Sequence, residues 1–470
     1  MKYFLKKLIG FSVGPILGAV ISFITVPITT FFISPSEFGK ASMFSVIQSL
    51  IITFIYLGMD QSYTREYHSV KDKKMLFQNA ILLPLSASAF LSILIFIFRK
   101  EVSYILFDNI KYTNISMLFS LLIVFSIFER FILLEIRMRE KAVEYSIFSI
   151  FVKITILATT IVLLSLGERS FLTVVYSSIF GQILGDCVLF MRYKNLLSFQ
   201  DFRINQVLVK RMIIFGVPLV IAASVNNLLN TSGRLFLRGY SSYHELGIYN
   251  AALKVANLLQ ILQTAFTSFW VPTAYRWNSE NKELKMFSFV ADALLLMMTL
   301  VFFIIIIFKE YIIILLSNNY SDSQFIIGLL SISPILYTIS ETTTLGIVFS
   351  RKSYLNIYVS LFSLIPNIIL NYLLVPIFGT IGAGIAMASS YIIFCLSRTY
   401  FSVSNGFKIE YKKQIFNIFL FFFIAVLNTK SNTLVLLITI LLFSVSILSQ
   451  ASTIKKIIEI KKYPHNWDFN

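Results

Sequence analysis

The 470-residue chain is 57% hydrophobic and 13% charged, with a mean hydropathy of +0.79, which excludes an ordinary soluble globule. Its net charge of +17 does not predict nucleic-acid binding, because Lys and Arg are dispersed between apolar blocks instead of clustering on one solvated face. Lipid is the predicted solvent, and no nucleic-acid partner is expected.

Fourteen apolar blocks follow one another along the chain, and a helix needs roughly 20 apolar residues to cross the hydrocarbon core. The first six blocks cover residues 8–33, 41–58, 75–98, 115–134, 145–166 and 171–191. The other eight cover residues 212–237, 246–271, 286–308, 325–349, 354–378, 382–401, 415–428 and 433–450. The thirteenth block is short, so we predict an all-α polytopic membrane protein with 12–14 transmembrane helices.

Two landmarks indicate an internal duplication. The pattern Glu-x-Gly at residues 37–39 recurs 208 residues later at 245–247, and the turn glycines Gly167 and Gly379 lie 212 residues apart. Two six-helix lobes related as parallel repeats around a central cavity would explain both offsets, although Glu and Gly also recur by chance at helix starts. The predicted domains are a lobe at 1–191, a basic linker at 192–211, a lobe at 212–402, and two additional helices with a basic tail at 403–470.

The basic residues are distributed unequally between alternate loops. The side that holds the N-terminus carries 28 of the 40 Lys and Arg residues, whereas the opposite side carries 9. The positive-inside rule therefore predicts an even number of crossings with both termini in the cytoplasm.

Polar residues within the seventh and eighth spans are candidate ligands for a substrate. Asn226, Asn230 and Arg234 recur every four residues and so share one helix face, while Lys254 and Asn257 lie within the eighth span. Lys153 lies at a similar depth in the fifth span. A cation at this depth costs roughly 2.5 to 3.5 kcal/mol, so these residues are predicted to line a cationic, polar cavity. Interhelical hydrogen bonds, snorkelling and a satisfied ion pair remain open alternatives.

Other charged residues receive different interpretations. Glu341, in the tenth span, could pair with a lysine or bind H⁺ or Na⁺, and is the ion-coupling candidate. Arg65 and Arg276 follow the second and eighth spans and are gate candidates, unless they are ordinary positive-inside residues. Four residues nearer the span ends are expected to snorkel: Glu129, Arg130, Asp186 and Asp292.

The chain lacks the patterns of common catalytic and cofactor sites. It contains no phosphate-binding loop of the form G-x-x-x-x-G-K-[ST], and its three His residues (His68, His244 and His465) lie far apart in sequence. Cys187 and Cys395 lie in apolar spans without metal-ligand spacing, so they are expected to pack. We therefore predict neither an enzyme, nor a metal site, nor a cofactor beyond a coupling H⁺ or Na⁺.

Five motifs occur in an order typical of one transporter family. They read FISPSEFG at residues 32–39, LGMDQSYTR at 57–65, FGVP at 215–218, GIYNAALK at 247–254 and PIFGTIGAG at 376–384. In these motifs the chain resembles the polysaccharide-biosynthesis flippases, the Wzx-type O-antigen repeat-unit flippases of the multidrug/oligosaccharidyl-lipid/polysaccharide exporter superfamily. One departure is Gly233 before Arg234, where family members often carry Asp-Arg.

The resemblance implies a MATE-like fold whose cavity faces the two sides of the bacterial plasma (inner) membrane in turn. It implies transport of an undecaprenyl-pyrophosphate-linked oligosaccharide of O-antigen (lipopolysaccharide) or capsule type, with membrane lipids and other polysaccharide-assembly proteins as partners. A drug or metabolite antiporter of the same superfamily is the alternative, but it would need a cavity dominated by acids. A membrane polysaccharide polymerase or ligase would be expected to show a large outer loop carrying Arg or His.

Overall fold

The structure is a computed structural model, and it describes residues 2–198, 202–350, 352 and 354–462. Residues 199–201 of the predicted linker, and residues 463–470 of the predicted tail with His465, lie outside the described residues. The described part of the chain is helical and contains no strand, which confirms the all-α prediction.

In the part of the chain that the structure describes, twenty α-helices follow one another, with short 3-10 helices at Ile110–Tyr112 and Asn318–Phe325. The first ten are α1 (Lys2–Phe32), α2 (Pro35–Ile55), α3 (Met59–Glu66), α4 (Lys73–Ile97), α5 (Arg99–Phe107), α6 (Thr113–Met138), α7 (Ala142–Ser165), α8 (Phe171–Arg192), α9 (Lys194–Leu197) and α10 (Gln206–Tyr240). The other ten are α11 (Tyr243–Ala256), α12 (Leu259–Ser279), α13 (Leu284–Ile307), α14 (Lys309–Ile314), α15 (Ile327–Thr343), α16 (Leu345–Phe349), α17 (Leu355–Ser404), α18 (Lys412–Leu427), α19 (Thr433–Ser449) and α20 (Ala451–Lys462).

Each predicted apolar block is mostly helical, with turn residues at several block ends and at breaks inside two blocks. Within the described residues, nine helices are long and apolar enough to cross a membrane, or up to eleven if two bent pairs each count as one span. The 50-residue α17 holds two predicted spans, 354–378 and 382–401, which meet at the non-helical Gly379 (φ 52°, ψ −127°). The predicted eighth span is divided between α11 and α12. The chain is therefore a polytopic membrane protein.

The two turns of the predicted repeat begin helices in the same way. In the first, the Ser34 hydroxyl accepts a hydrogen bond from the Glu37 amide at 3.5 Å, and α2 follows. In the second, the Ser242 hydroxyl accepts one from the Glu245 amide at 3.2 Å, at the start of α11. A serine followed three residues later by glutamate is a capping pattern, which explains why both helices begin at these positions.

The chain forms two compact units. The first comprises residues 1–238 with 242–247, and the second comprises 239–241 with 248–470. The helix α10 therefore belongs to the first unit, and the lobe division at the linker 192–211 stays a prediction. Aromatic rings fill the core of the first unit, where Tyr63 packs edge-on against Phe77 and Phe131.

In the second unit, one aromatic cluster packs α12 against α13 and the segment after α17. Trp270 and Trp277 meet edge-on, and both contact Phe287, which also packs against Phe407. The final helices α18 and α19 are held by polar contacts, since Asn428 donates to the Thr439 hydroxyl at 2.9 Å. Interhelical hydrogen bonds of this kind are common in membrane helix packing.

Loops that were predicted to share a side of the membrane meet within the first unit. Lys74, Arg139, Lys141 and Arg192, from three loops on the N-terminal side, line one cavity of about 400 Å³. On the opposite side, Arg238 lies 3.3 Å from Asp108 and stacks over the ring of Tyr243.

In the second unit, loops predicted to lie on the side opposite the N-terminus also contact one another. Lys309 donates to the Asn428 carbonyl at 2.8 Å, and Ser431 donates to Glu310 at 3.2 Å. The alternation of sides along the chain therefore agrees with the contacts within each unit.

Candidate functional site

The predicted polar face of the seventh span lies on α10. Asn226 is exposed, whereas Asn230 and Arg234 are half-buried, and the Asn230 amide donates to the Asn226 carbonyl at 2.9 Å. Helical geometry places the three side chains on one face because they recur every four residues. These three predicted residues therefore share one face, and Asn226 is the most exposed of them.

The neighbouring amide, Asn227, has a structural role. Its Nδ2 donates to the Ser49 carbonyl at 3.0 Å and to the Thr53 hydroxyl at 2.6 Å, which fixes α10 against α2. Interhelical bonding was the alternative explanation for the polar residues of this span, and it holds for Asn227.

Lys254 is exposed on an otherwise buried stretch of helix. Among residues 248–256, all of which the structure describes, it is the one exposed side chain. Asn257 follows at the break between α11 and α12, where its side-chain oxygen accepts a hydrogen bond from Gln260 at 3.2 Å. Lys254 is therefore the accessible charged side chain of this stretch.

Lys153, by contrast, lies among carboxylates. It is half-buried on α7 and interacts electrostatically with Glu129 of α6 and Asp186 of α8. Gln182 donates to both Asp186 oxygens at 3.3 Å. Two acids around one lysine weaken its attraction for an anion, so a binding role for Lys153 stays a prediction that this geometry does not favour.

The expectation that the acidic residues of the first unit snorkel is wrong for Asp186. That residue is fully buried, and Arg130 pairs at 2.7 Å with Asp60, which is also buried. Asp186 accepts hydrogen bonds from Gln182 of its own helix, whereas Arg130 has its partner Asp60 on another helix, so both side chains have polar partners within the protein. In the second unit, Asp292 likewise pairs with Lys413 at 2.8 Å.

Glu341, the ion-coupling candidate, forms a buried ion pair with Arg398 at 2.9 Å. Arg398 also donates to the Ser340 hydroxyl at 2.7 Å and stacks over the rings of Tyr337 and Phe394. Each member of the pair therefore has a partner of opposite charge inside the protein. The sequence carries a signal for Arg398, namely an arginine inside the apolar block 382–401.

The two gate candidates lie in different surroundings. The Arg65 guanidinium on α3 stacks 4.2 Å from the ring centre of Phe215 on α10. Arg276, near the end of α12, lies 4.0 Å from Glu280 of the same chain segment. Arg65 thus connects two helices, whereas Arg276 contacts its own segment, and gating by either residue stays a prediction.

Four of the five sequence motifs meet in pairs. At one pair a Cβ on Gly39 would overlap the Tyr243 carbonyl oxygen, and one on Gly247 would overlap the Pro35 carbonyl oxygen. At the other pair, Gly58 (φ 67°) lies backbone to backbone against Gly216. Close approach without side chains explains why glycine stands at these positions.

No three His, Cys, Asp or Glu residues lie close enough to hold a metal ion within the described ranges.

The sequence profile of the family described as "Polysaccharide biosynthesis protein" matches residues 4–278, which is more than half of the chain. The chain belongs to this family. The match confirms the resemblance stated from the motifs, and it covers four of the five. No curated protein sequence gives a significant match.

Solved structures confirm the MATE-like fold of this polysaccharide biosynthesis family member. The lipid II flippase MurJ in an inward closed conformation is 14% identical over 95% of this chain and 99% of its own, with a TM-score of 0.70. An inward-facing multidrug resistance MATE family transporter of the MOP superfamily is 11% identical over 86% and 94%, with a TM-score of 0.60. An outward-facing one is 12% identical over 86% and 97%, with a TM-score of 0.59.

Proposed function

We propose that this protein is a lipid-linked oligosaccharide flippase of the MOP type. It moves an undecaprenyl-pyrophosphate-linked polysaccharide repeat unit, of O-antigen or capsule type, from the cytoplasmic to the outer leaflet of the plasma membrane. Transport proceeds by alternating access, and an H⁺ or Na⁺ gradient supplies the energy. The family membership and the fold shared with the lipid II flippase MurJ support this proposal.

The observation that carries the proposal is the exposure of Lys254 on a buried stretch of helix. A pyrophosphate is anionic, and its removal from water is costly unless cations and hydrogen-bond donors replace the water. Lys254 supplies a cation for the diphosphate. Asn226, Asn230 and Arg234 on α10, together with Asn257, supply donors and acceptors for the sugar and for the remaining charge.

The proposed surroundings follow from the same function. The protein lies in the bacterial inner membrane with both termini in the cytoplasm, and its partners are the lipid-linked oligosaccharide, membrane lipids and other polysaccharide-assembly proteins. Glu341 remains the coupling candidate, although its pairing with Arg398 would first have to break. Arg65 and Arg276 are the proposed gates.

A drug or metabolite antiporter is the second candidate, because transporters described as multidrug resistance proteins share the fold. Organic cations would be attracted to exposed acids, whereas the exposed charged side chain on the buried stretch of α11 is that of Lys254. The basic charge at that position therefore favours an anionic cargo.

The flippase proposal is tested by surface display of the polysaccharide in cells whose own copy of the gene is deleted. We expect Lys254→Ala and Arg234→Ala each to abolish display and to cause the lipid-linked repeat unit to accumulate on the cytoplasmic leaflet. Lys254→Arg retains the cation and should retain part of the transport.

Matched controls are Lys100→Ala and Lys430→Ala, which remove exposed loop cations predicted to lie on the opposite side to the N-terminus. We expect both controls to support full display at the same protein level in the membrane. Full display by the Lys254→Ala and Arg234→Ala variants would contradict the proposal.

A further inference from the structure

A basic pocket lies in the second unit, away from the proposed cargo residues. It has a volume of about 400 Å³, and three segments that were predicted to share the N-terminal side contribute to it. It is lined by Leu284, Lys285, Ser288, Phe289, Asp292, Lys408, Glu410, Lys412, Lys413 and Lys456. Five lysines and two acids give this lining a charge of +3.

One partly buried polar network holds the pocket together. Asp292 of α13 accepts hydrogen bonds from Lys413 at 2.8 Å and from Gln414 at 3.1 Å, both on α18. Thr453 of α20 donates to the same carboxylate at 3.4 Å. Three helices are thus joined at Asp292, so the pocket is a built feature of the fold instead of a chance gathering of surface side chains.

Three lysines of the pocket remain available. Lys408, Lys412 and Lys456 are exposed, and none of them forms an ion pair with any described residue. Their mutual repulsion is relieved when an anion binds between them, because like charges that share a site destabilise one another.

The helix α20 indicates that this anion belongs to a lipid. α20 bends by 57° away from the direction of the apolar α19, and it carries Lys455, Lys456, Lys461 and Lys462. Its Ile457 and Ile458 are exposed. A short helix with lysines and exposed isoleucines at the end of a span is typical of one that lies in the interface between headgroups and acyl chains.

We propose that this pocket binds the phosphate headgroup of an anionic phospholipid from the leaflet on the side of the basic loops. Lys408, Lys412 and Lys456 bind the phosphate, Leu284 and Phe289 offer apolar contact, and Ile457 and Ile458 lie against the acyl chains. Basic pockets at the ends of membrane helices bind headgroups in this way. The proposal does not depend on which cargo the protein transports.

The test uses the full chain in nanodiscs of phosphatidylcholine and phosphatidylglycerol in equal parts. Native mass spectrometry counts the phosphatidylglycerol molecules that remain on the released protein. We expect Lys408→Gln/Lys412→Gln/Lys456→Gln to lower the affinity for phosphatidylglycerol roughly 100-fold, since each lysine near an anionic surface contributes about fivefold. Asp292 and Lys413 stay in place in this variant, so the network that joins the three helices remains.

The matched control is Lys71→Gln/Lys194→Gln/Lys210→Gln, which removes the same charge from exposed positions predicted to lie on the same side but outside the pocket. We expect the control to retain the bound lipid. Equal losses of bound phosphatidylglycerol in the two variants would show that general surface charge explains the binding, and would overturn the proposal. Displacement of the lipid by excess inorganic phosphate would identify a site for a soluble anion, and would overturn it as well.

Discussion

Gly58 and Gly216 show how single residues set the position of whole helices. Gly58 has a positive φ of 67° and lies against the backbone of Gly216, while Ser62 donates to the Met212 carbonyl at 2.7 Å. These contacts place α3 directly on α10. The sequence identified both glycines within motifs, but contact between residues so far apart in the chain cannot be inferred from either motif alone.

The contact predicts a stability difference between two glycine variants. Gly58→Ala adds a Cβ that overlaps the Gly216 carbonyl, and it also places alanine at a positive φ. Gly167→Ala has the same backbone problem at φ 88°, but no atom lies within 4 Å of its Cβ. We expect Gly167→Ala to cost about 1 kcal/mol and Gly58→Ala at least about 3 kcal/mol, measured by unfolding in detergent. Equal losses would show that the close approach does not matter.

The candidate site was only partly predictable at this scale. The four-residue spacing of Asn226, Asn230 and Arg234 predicts that they share one face, because this depends only on the geometry of a single helix. The partners of Lys153 and Glu341 lie on other helices, and distances between helices cannot be inferred from the sequence. Sequence alone therefore predicts Glu129 and Asp186 near the span ends, whereas the structure places both close to Lys153 and pairs Arg398 with Glu341.

At the scale of elements, a buried carboxylate connects α3 to α6. Glu135 is fully buried, and it accepts hydrogen bonds from the hydroxyls of Tyr63 and Tyr67 and, at 2.6 Å, from Arg139. Burial and the neighbouring carboxylate raise the pKa of both tyrosines above the ordinary value, so both remain protonated donors. The short α3 is held in this way although it is too short to be stable alone.

Removal of this acceptor should loosen α3. We expect Glu135→Ala to lower the free energy of unfolding by about 3 kcal/mol, because buried donors lose their partner. Glu135→Gln keeps a carbonyl acceptor, so its loss should be about 1 kcal/mol. Thermal unfolding of the purified protein measures both values. If both variants were as stable as the parent chain, Glu135 would not have the role assigned to it.

Helix existence was predictable, whereas helix interruptions were not. Length and hydropathy gave the fourteen blocks because the bilayer thickness sets the length of a span. The break between Ala256 and Leu259, and the turn at Gly379 inside α17, depend on local backbone geometry within blocks that are apolar throughout. The short α3, α9 and α20 lie outside the apolar blocks, so a criterion of length and hydropathy does not find them.

At the scale of the whole molecule, the charge distribution predicts an orientation in the membrane. The surplus of Lys and Arg in alternate loops predicts that the N-terminal side is cytoplasmic, and contacts within each unit agree with the alternation. The family and the fold were predictable from motif order. The division into two units with α10 in the first depends on packing, which motif order does not encode.

Orientation is tested with single cysteines in a chain whose Cys187 and Cys395 are replaced by serine. We expect Lys100→Cys and Lys430→Cys to react with an impermeant maleimide in intact cells, since both residues are exposed on the sparsely charged side. Lys194→Cys and Lys210→Cys should react only after permeabilisation. Labelling of all four positions from outside, or reversal of the pattern, would contradict the predicted topology.

The contact of Gly39 and Gly247 has a consequence for how this protein could change over time. Backbone meets backbone there, so any larger residue would separate the two helix starts instead of adjusting them slightly. Under the proposed function, a change of sugar therefore has no gradual route through these turns. It would act on exposed side chains such as Asn226 and Lys254, while the glycine contact stays as it is.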